Sequence, residues 1–286
     1  MSGTYTLRIL EAYIELFIKI APYLLISILI HVCLIWITKK KGITLRIKSR
    51  GIAILVSALL GIISPLPTYA ALPIGLSFIS LGVPFAAVIS FVIASPLINP
   101  SIFFLTYTQL GIEIALFRLT TAFILACIGG YISLYIFKSY RPRNLTTRNS
   151  TKPERSFLQE LNAGMIFFGK HFALALLISA AVKALISPEF IKEILGQQIT
   201  GSLLVGIALG VPFLSCGGAA IPFVEVLSDM GMNKGAVLAF LIAGPATKLG
   251  TLYIFKSLLG IKIFIFYLIV TIMGAFIAGL TILSFT

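Results

Sequence analysis

The chain has 286 residues, of which 59% are hydrophobic and only 11% are charged, whereas soluble domains carry roughly 25% charged residues. At about 20 apolar residues per bilayer crossing, this composition predicts an all-α, polytopic membrane protein with about eight to ten membrane segments and excludes soluble enzyme folds. A net charge of +13 would suggest a nucleic-acid partner in a soluble protein, but the position of the charge along the chain indicates membrane topology instead.

Hydropathy predicts ten apolar spans, several of them too short for a full crossing. In chain order they cover residues 14–37, 51–63, 70–82, 84–108, 111–138, 164–187, 198–214, 219–230, 235–256 and 261–285. Residues 51–63 and 70–82 would each form a helix about 20 Å long, against a hydrocarbon core of ~30 Å. Residues 64–73, which contain three prolines, and residues 215–222 cannot form regular helix. The pattern therefore predicts broken or re-entrant helices.

Two basic segments organise the chain. Twelve of its 22 Lys and Arg residues lie in residues 39–50 or residues 138–155. Positive charge at this density is typical of cytoplasmic loops, and it also attracts anionic lipid headgroups. We therefore divide the chain into a first membrane repeat (residues 1–138), a basic cytoplasmic linker (residues 139–160) and a second membrane repeat (residues 161–286).

The two membrane halves are related by an internal repeat. A shift of 149 positions pairs residues 61–100 with residues 210–249 without a gap, and eleven of the 40 pairs are identical. Several of the identical pairs are glycines or prolines at the breaks. Backbone geometry selects these residue types, so such pairs are stronger evidence for a repeat than shared alanines are. An even number of crossings between the basic segments makes the repeats inverted and places residues 187–197 outside the cell. Many secondary transporters have this architecture.

The two breaks supply the first candidate substrate-binding residues. Irregular backbone at membrane depth is tolerated only where protein or a water-filled cavity satisfies its polar groups. In the second break the glycines allow a ligand to approach the backbone and Cys216 offers a soft sulfur. Alternatively, the glycines serve close helix packing and Cys216 is a small buried hydrophobe. The candidates at the breaks are Thr68, Pro73, Ser215, Cys216, Gly217, Gly218 and Pro222.

A second pair of segments, each with a mid-span proline, supplies the other candidates. In the repeat alignment Asn99 corresponds to Lys248. A mid-span lysine costs roughly 2.5–3.5 kcal/mol to insert and marks a functional site, although snorkelling is the alternative interpretation. Arg118, about two turns into its span, is expected to snorkel. The candidates are Pro96, Asn99, Pro245, Thr247 and Lys248, with Glu225 as the candidate acidic partner of Lys248.

Three strings in the chain resemble a known membrane family. PFLSCGGAAIP (residues 212–222), GAVLAFLIAGPATK (residues 235–248) and ASPLINP (residues 94–100) are similar to motifs of the predicted permeases that include the arsenical permeases (ArsP) and YraQ-like proteins. The resemblance covers most of the chain and implies a permease whose best-known relatives export trivalent organoarsenicals. Those relatives carry Cys-Ser-Cys-Gly before the proline of the first break, whereas this chain has SPLPTYA (residues 64–70), so that only Cys216 carries over.

The chain carries no pattern of an enzyme or of an ATP-driven pump. It has no Walker loop, no HExxH motif and no CxxC pair of cysteines, and we predict neither a cofactor nor a metal site. We predict an integral membrane permease that moves a small solute, a metalloid or a small anion, by alternating access. The alternative is a non-transporting membrane scaffold or assembly factor. Either protein would lie in a bacterial inner membrane, or in a plastid membrane if the chain is organelle-encoded.

Overall fold

The helical architecture is taken from a computed structural model. The model describes residues 6–18, 22, 25, 29, 49–64, 71, 75, 78, 79, 83–138, 156–196, 199–210, 220–247, 255, 256 and 259–285. Every regular element among these residues is helical, as the composition predicts.

The described helices are named here in chain order. They are α1 (residues 6–18), α2 (Arg50–Ile63), α3 (Phe85–Leu97), α4 (Pro100–Ile136), α5 (Phe157–Leu185), α6 (Pro188–Ile191, followed by a π-helical turn at Lys192–Gly196), α7 (Ile199–Gly210), α8 (Ile221–Asp229), α9 (Lys234–Ala246) and α10 (Ile261–Phe285). Within the described residues, the stretches Phe85–Ile136 and Ile261–Phe285 are long and apolar enough to cross a bilayer. Helices α2, α3, α7 and α9 have 14, 13, 12 and 13 residues and are half as long as α10.

Most predicted spans reappear as helices, although those over residues 14–37 and 70–82 lie largely outside the described residues, and α9 ends at Ala246 inside the span predicted over residues 235–256. Two further differences concern α3 and α5. The span predicted over residues 84–108 is interrupted, because Ile98 and Asn99 are extended and separate α3 from α4. Helix α5 begins earlier than predicted, at Phe157, because Ser156 and Gln159 form a reciprocal capping box that starts the helix inside the polar linker. Hydropathy does not register either feature, since both depend on backbone hydrogen bonding.

Two glycines with positive φ stand at equivalent points of the halves. Gly111 (φ +88°) bends the chain inside α4, which we divide into α4a (residues 100–110) and α4b (residues 112–136). Gly260 (φ +81°) precedes α10 in the same way. This conformation favours glycine because a Cβ would be strained there. The two glycines are 149 residues apart, so the spacing of the sequence repeat extends through α4b and α10.

The short helices pack in the same way in both halves. A Cβ on Gly61 would lie 2.7 Å from the carbonyl oxygen of Phe91, and a Cβ on Gly210 would lie 3.1 Å from that of Phe240. Gly210 lies 149 residues after Gly61, and Phe240 lies 149 residues after Phe91, so the two contacts are equivalent in the repeat. In each half the contacts advance together along the two chains, so α2 runs parallel to α3 and α7 runs parallel to α9. A parallel pair requires the chain between its two helices to return to the end at which the first helix starts.

Helices α4b and α10 cross in antiparallel orientation. Leu125 packs against Gly274, its own repeat equivalent, near the middle of both helices. Phe117 near the start of α4b contacts Phe285 at the end of α10, with ring centroids 6.0 Å apart. Phe137 contacts Phe266 at 5.4 Å in the reciprocal arrangement. The two halves are therefore related by an approximate two-fold rotation that reverses the direction of α10 relative to α4b.

Contacts at the two ends of the bundle show which helices start together. The Tyr131 hydroxyl, near the end of α4b, donates to the Gly51 carbonyl at 3.4 Å, so α2 starts where α4b ends. Lys234, the first residue of α9, pairs with Glu113, near the start of α4b, at 2.6 Å. Helix α9 thus starts at the end of the bundle opposite to that of α2 and α3, and both α3 and α9 point toward the middle.

Candidate functional site

Two breaks other than the interruptions at residues 64–73 and 215–222 follow α3 and α9, and they are called the first and the second break from here on. The first break is a two-residue interruption between α3 and α4a. Helix α3 ends at Leu97 with Pro96 in its last turn, and Ile98 and Asn99 follow in extended conformation. The Asn99 side chain accepts a hydrogen bond from the Ile102 amide at 2.9 Å and caps the new helix. A carboxyl-terminal and an amino-terminal helix end therefore meet in the buried middle of the bundle, which brings opposite partial charges together.

Arg118 lies beside this break, and the prediction that it snorkels is wrong. Its side chain is fully buried, at 0% exposure. Its Nε donates to the Leu97 carbonyl at 3.0 Å and its Nη1 donates to the Thr106 hydroxyl at 2.9 Å. The end of α3 leaves carbonyls without helical partners, and a guanidinium there satisfies one of them while complementing the negative end of the helix dipole. Because these acceptors lie inside the bundle, the side chain turns inward and not toward the interface.

The second break follows α9 at the equivalent position. Helix α9 ends at Ala246 with Pro245 in its last turn. The Thr247 amide and hydroxyl both donate to the Ala243 carbonyl, at 3.0 and 2.8 Å. The described backbone stops at Thr247, so Lys248 lies outside it. The two helix ends differ in chemistry, since the first is held by a guanidinium and the second by a neutral threonine.

An aromatic pair stands in the second half where the arginine and threonine stand in the first. Tyr267 of α10 is 149 residues after Arg118, and Phe255 is 149 residues after Thr106. The two rings stack with centroids 4.1 Å apart and planes 26° apart. Both side chains are buried. Equivalent positions therefore form a charged hydrogen-bonded contact in the first half and an aromatic contact in the second.

A buried carboxylate lies between the two halves. Glu225 of α8 is only 3% exposed. With the Gln109 amide oriented so that its nitrogen faces this carboxylate, the nitrogen lies 3.0 Å from Oε1 and 2.8 Å from Oε2. Gln109 belongs to α4a and Glu225 to α8, so this contact joins the two halves near the end of the bundle at which α9 begins. A buried carboxylate needs such donors because desolvation otherwise disfavours its charged form.

Asn233 fixes the turn that leads into α9. Its Oδ1 accepts from the Ala236 amide at 2.8 Å, and its Nδ2 donates to the Leu195 carbonyl and to the Ser202 hydroxyl, each at 2.6 Å. One side chain thus caps α9 and binds it to α7 and to the π-helical turn. This contact fixes the start of the short helix that ends at the second break.

Comparison with known proteins identifies the family. A family profile described as a predicted permease (ArsP_1) matches residues 6–283. The chain belongs to the predicted permease family. This result confirms the resemblance inferred from the motifs around the breaks. Together with the apolar helices, it makes the chain a helical membrane protein of a permease family.

Two relatives of this permease-family chain carry the name UPF0718. The UPF0718 protein YcgR of Bacillus subtilis is 25% identical over 292 aligned residues, which cover 96% of each chain. The UPF0718 protein MJ0584 of Methanocaldococcus jannaschii is 26% identical over 83 residues, which cover 29% of this chain and 23% of the relative. No solved structure matches the chain significantly.

The candidate residues of this predicted permease fall into two groups. The structure places four of them at or beside the breaks, namely Pro96, Asn99, Pro245 and Thr247, and two of them, Pro222 and Glu225, on α8. The others lie outside the described residues: Thr68, Pro73, Ser215, Cys216, Gly217, Gly218 and Lys248.

Sequence reasoning missed three polar side chains around these residues, namely the half-buried Gln109 and the buried Arg118 and Tyr267. The signal for two of them was available. Extending the 149-residue shift past residue 249 pairs Arg118 with Tyr267, two polar residues at one position of otherwise apolar helices.

Proposed function

We propose that the chain is a secondary permease that moves a small solute through a central site between the two breaks. The observation that carries this proposal is the interrupted helix formed by α3 and α4a, whose break is buried and bound by the Arg118 guanidinium. Interrupted helices whose ends meet in the middle of the membrane form the solute and ion sites of many transporters.

Alternating access is supported by the relation between the halves. Helices α3 and α9 start at opposite ends of the bundle, and α4b crosses α10 in antiparallel orientation. An inverted pair of repeats offers two conformations of similar energy, each open to one side, in which one repeat rocks against the other. We accordingly keep the division into repeats at residues 1–138 and 161–286, joined by the linker at residues 139–160.

The proposed orientation follows from charge. Arg50 begins α2, and Lys138 follows α4b at the same end of the bundle, so the described ends of the two basic segments lie at one end of the bundle. We place this end in the cytoplasm. The proposed compartment is a bacterial inner membrane, or a plastid membrane for an organelle-encoded chain, with several crossings through the bilayer.

The proposed solute is a small oxyanion or a neutral metalloid hydroxide. Arg118 and Lys248 supply positive charge near the breaks, whereas Glu225 lies on α8 toward one end. The proposed binding set joins Asn99, Thr247 and Lys248 with the backbone of residues 215–218. Cys216 adds affinity for a soft metalloid if its sulfur reaches the solute.

Flux into proteoliposomes tests this proposal. The full chain is reconstituted and assayed with phosphate, sulfate, arsenate and arsenite, with and without the same solute inside. Saturable uptake that is accelerated by internal solute is expected for at least one compound. Absence of flux for the whole panel would favour a non-transporting scaffold.

A variant pair locates the solute site. Lys248→Met should abolish this flux at normal protein levels, because it deletes the charge but keeps the length of the side chain. Lys256→Met, at an exposed position eight residues later, should retain it. Equal flux in both variants would remove Lys248 from the site.

A further inference from the structure

Tyr267 of α10 carries a buried phenol. Its side chain is 1% exposed and stacks on Phe255. The stack fixes the plane of the ring and therefore the direction of the hydroxyl. Burial of an aromatic ring is ordinary in a helix bundle, but burial of its polar end requires a reason.

That hydroxyl has no hydrogen-bond partner within the part of the chain that the structure describes. A phenol can both donate and accept a hydrogen bond. Leaving one unsatisfied in an apolar environment costs free energy that a phenylalanine at the same position would not incur. A tyrosine with only a packing role is therefore an unfavourable choice here. A ligand that bonds to the hydroxyl removes the penalty.

Helix register directs this hydroxyl toward the second break. In the first half a Cβ on Gly130 would lie 3.3 Å from the Ala86 carbonyl oxygen, and in the second half a Cβ on Gly279 would lie 2.9 Å from that of Gly235. These are the same contact, shifted by 149 residues. Helix α10 therefore packs on α9 in the register in which α4b packs on α3.

Because the two helix pairs pack in the same register, Tyr267 has the same position relative to the end of α9 as Arg118 has relative to the end of α3. Arg118 reaches the Leu97 carbonyl, and the residue equivalent to Leu97 is Ala246, which is followed by Thr247 at the break. The Tyr267 hydroxyl consequently faces the end of α9, where the carbonyl of Ala243 is already bonded by Thr247.

From this geometry we propose that Tyr267 is a solute-binding residue of the permease, whose hydroxyl donates a hydrogen bond to an oxygen atom of an oxyanion or metalloid hydroxide at the second break. The proposal rests on the proposed permease function and names a contact within that central site. Arg118 is already engaged by protein acceptors in the first half. The two equivalent positions thus have different roles, since Arg118 stabilises the fold and Tyr267 binds the solute.

The test compares Tyr267→Phe with Tyr135→Phe in proteoliposomes, using whichever of phosphate, sulfate, arsenate and arsenite the unmodified chain moves fastest. Both variants delete one phenolic oxygen, but Tyr135 is 84% exposed on α4b. For Tyr267→Phe we expect KM to rise about tenfold while kcat changes less than about twofold, because one solute hydrogen bond is lost. Tyr135→Phe should match the unmodified chain in both constants.

Thermal unfolding in detergent without solute separates binding from structure. Deleting a hydroxyl that no protein group uses should leave the Tm of Tyr267→Phe unchanged or raise it. A clear fall in Tm would show that the hydroxyl bonds to the protein and would overturn the proposal. An unchanged KM would overturn it as well.

Phe255→Leu provides a second variant. Removing the stacking partner keeps the hydroxyl but frees its direction, so KM should rise here too. A normal KM in Phe255→Leu would contradict the orienting role of the stack. If the unmodified chain moves none of the four solutes, the permease function itself fails, and this outcome is distinct from normal flux with an insensitive Tyr267.

Discussion

The helices that lead into the two breaks, α3 and α9, have equivalent bounds, but the side chains beside their ends differ in chemistry. At the first, Arg118 bonds the Leu97 carbonyl and the Thr106 hydroxyl. At the second, the equivalent positions hold Tyr267 and Phe255, which stack on each other. Among the described residues, the bounds of α3 and α9, the positive-φ glycines Gly111 and Gly260 and the contacts of the short helices recur at a spacing of 149 residues, so helix packing does not require the difference. The side chains at these two positions therefore distinguish a stabilised break from one that is suited to bind a solute.

The difference also indicates which half is free to rearrange. A buried guanidinium with protein acceptors is costly to displace, because each acceptor and the charge itself would lose its partner. An aromatic stack can slide with little change in energy, since its contacts are not directional to the same degree. We therefore expect the first break to move as a rigid unit and the second to adjust around the solute.

The largest effect should come from Arg118→Met. The variant keeps the length of the side chain but removes the donors to the end of α3, leaving buried acceptors unsatisfied. We expect a loss of about 3 kcal/mol in the free energy of unfolding, measured by denaturant titration in detergent, together with loss of flux. Arg50→Met, which removes a cation from an exposed position at the start of α2, should change stability little. Equal stability of the two variants would show that the first break does not depend on Arg118.

A smaller effect should distinguish Gly61→Ala from Gly210→Ala. Both glycines lie in helices, where alanine is favoured by about 1 kcal/mol. A Cβ at Gly61 would approach the Phe91 carbonyl oxygen and the Ala94 side chain to 2.7 Å, whereas at Gly210 the nearest atoms are 3.1 Å away. Overpacking costs typically 1–3 kcal/mol, so Gly61→Ala should be destabilising by about 1–2 kcal/mol and Gly210→Ala close to neutral. Thermal melting of the two variants side by side checks this order.

Much of the fold was predictable because it depends on apolar length and on glycine and proline. The spans that became α2 and α10 and the 149-residue spacing follow from these signals. The interruption at Ile98 and Asn99 was not predictable from hydropathy, since the apolar run continues across it.

The central polar contacts were predicted only in part. An arginine two turns from the end of a membrane span is close enough in sequence for its side chain to reach the membrane–water interface. Its burial becomes evident only when the end of α3 is placed beside α4b. The contact between Gln109 and Glu225 joins residues from different halves, and no local pattern indicates it. Sequence reasoning found the residues on the breaks and missed those that reach the breaks from neighbouring helices.

A third effect should come from Asn99→Ala. The substitution removes the side-chain acceptor of the Ile102 amide, and the loss of such a cap costs about 1 kcal/mol. Asn99→Asp keeps an acceptor at the same place and should retain the stability of the unmodified chain. Unfolding by denaturant distinguishes the two. If both variants lose equal stability, the amide nitrogen of Asn99 has the structural role and not its cap oxygen.

The smallest effect concerns the ion pair at the end of the bundle where α9 begins. Lys234 and Glu113 are 2.6 Å apart, but their side chains are 47% and 40% exposed. Exposed pairs contribute at most about 0.5–1 kcal/mol, and salt screens them. The first half offers no equivalent pair, because Phe85 and Lys262 occupy the corresponding positions. A double-mutant cycle with Lys234→Met and Glu113→Gln should give a coupling energy below about 0.5 kcal/mol, which disappears at high salt. A coupling as large as the effect of Arg118→Met would instead mean that the bundle is held at its end, and the contrast between the two breaks would no longer explain where its stability lies.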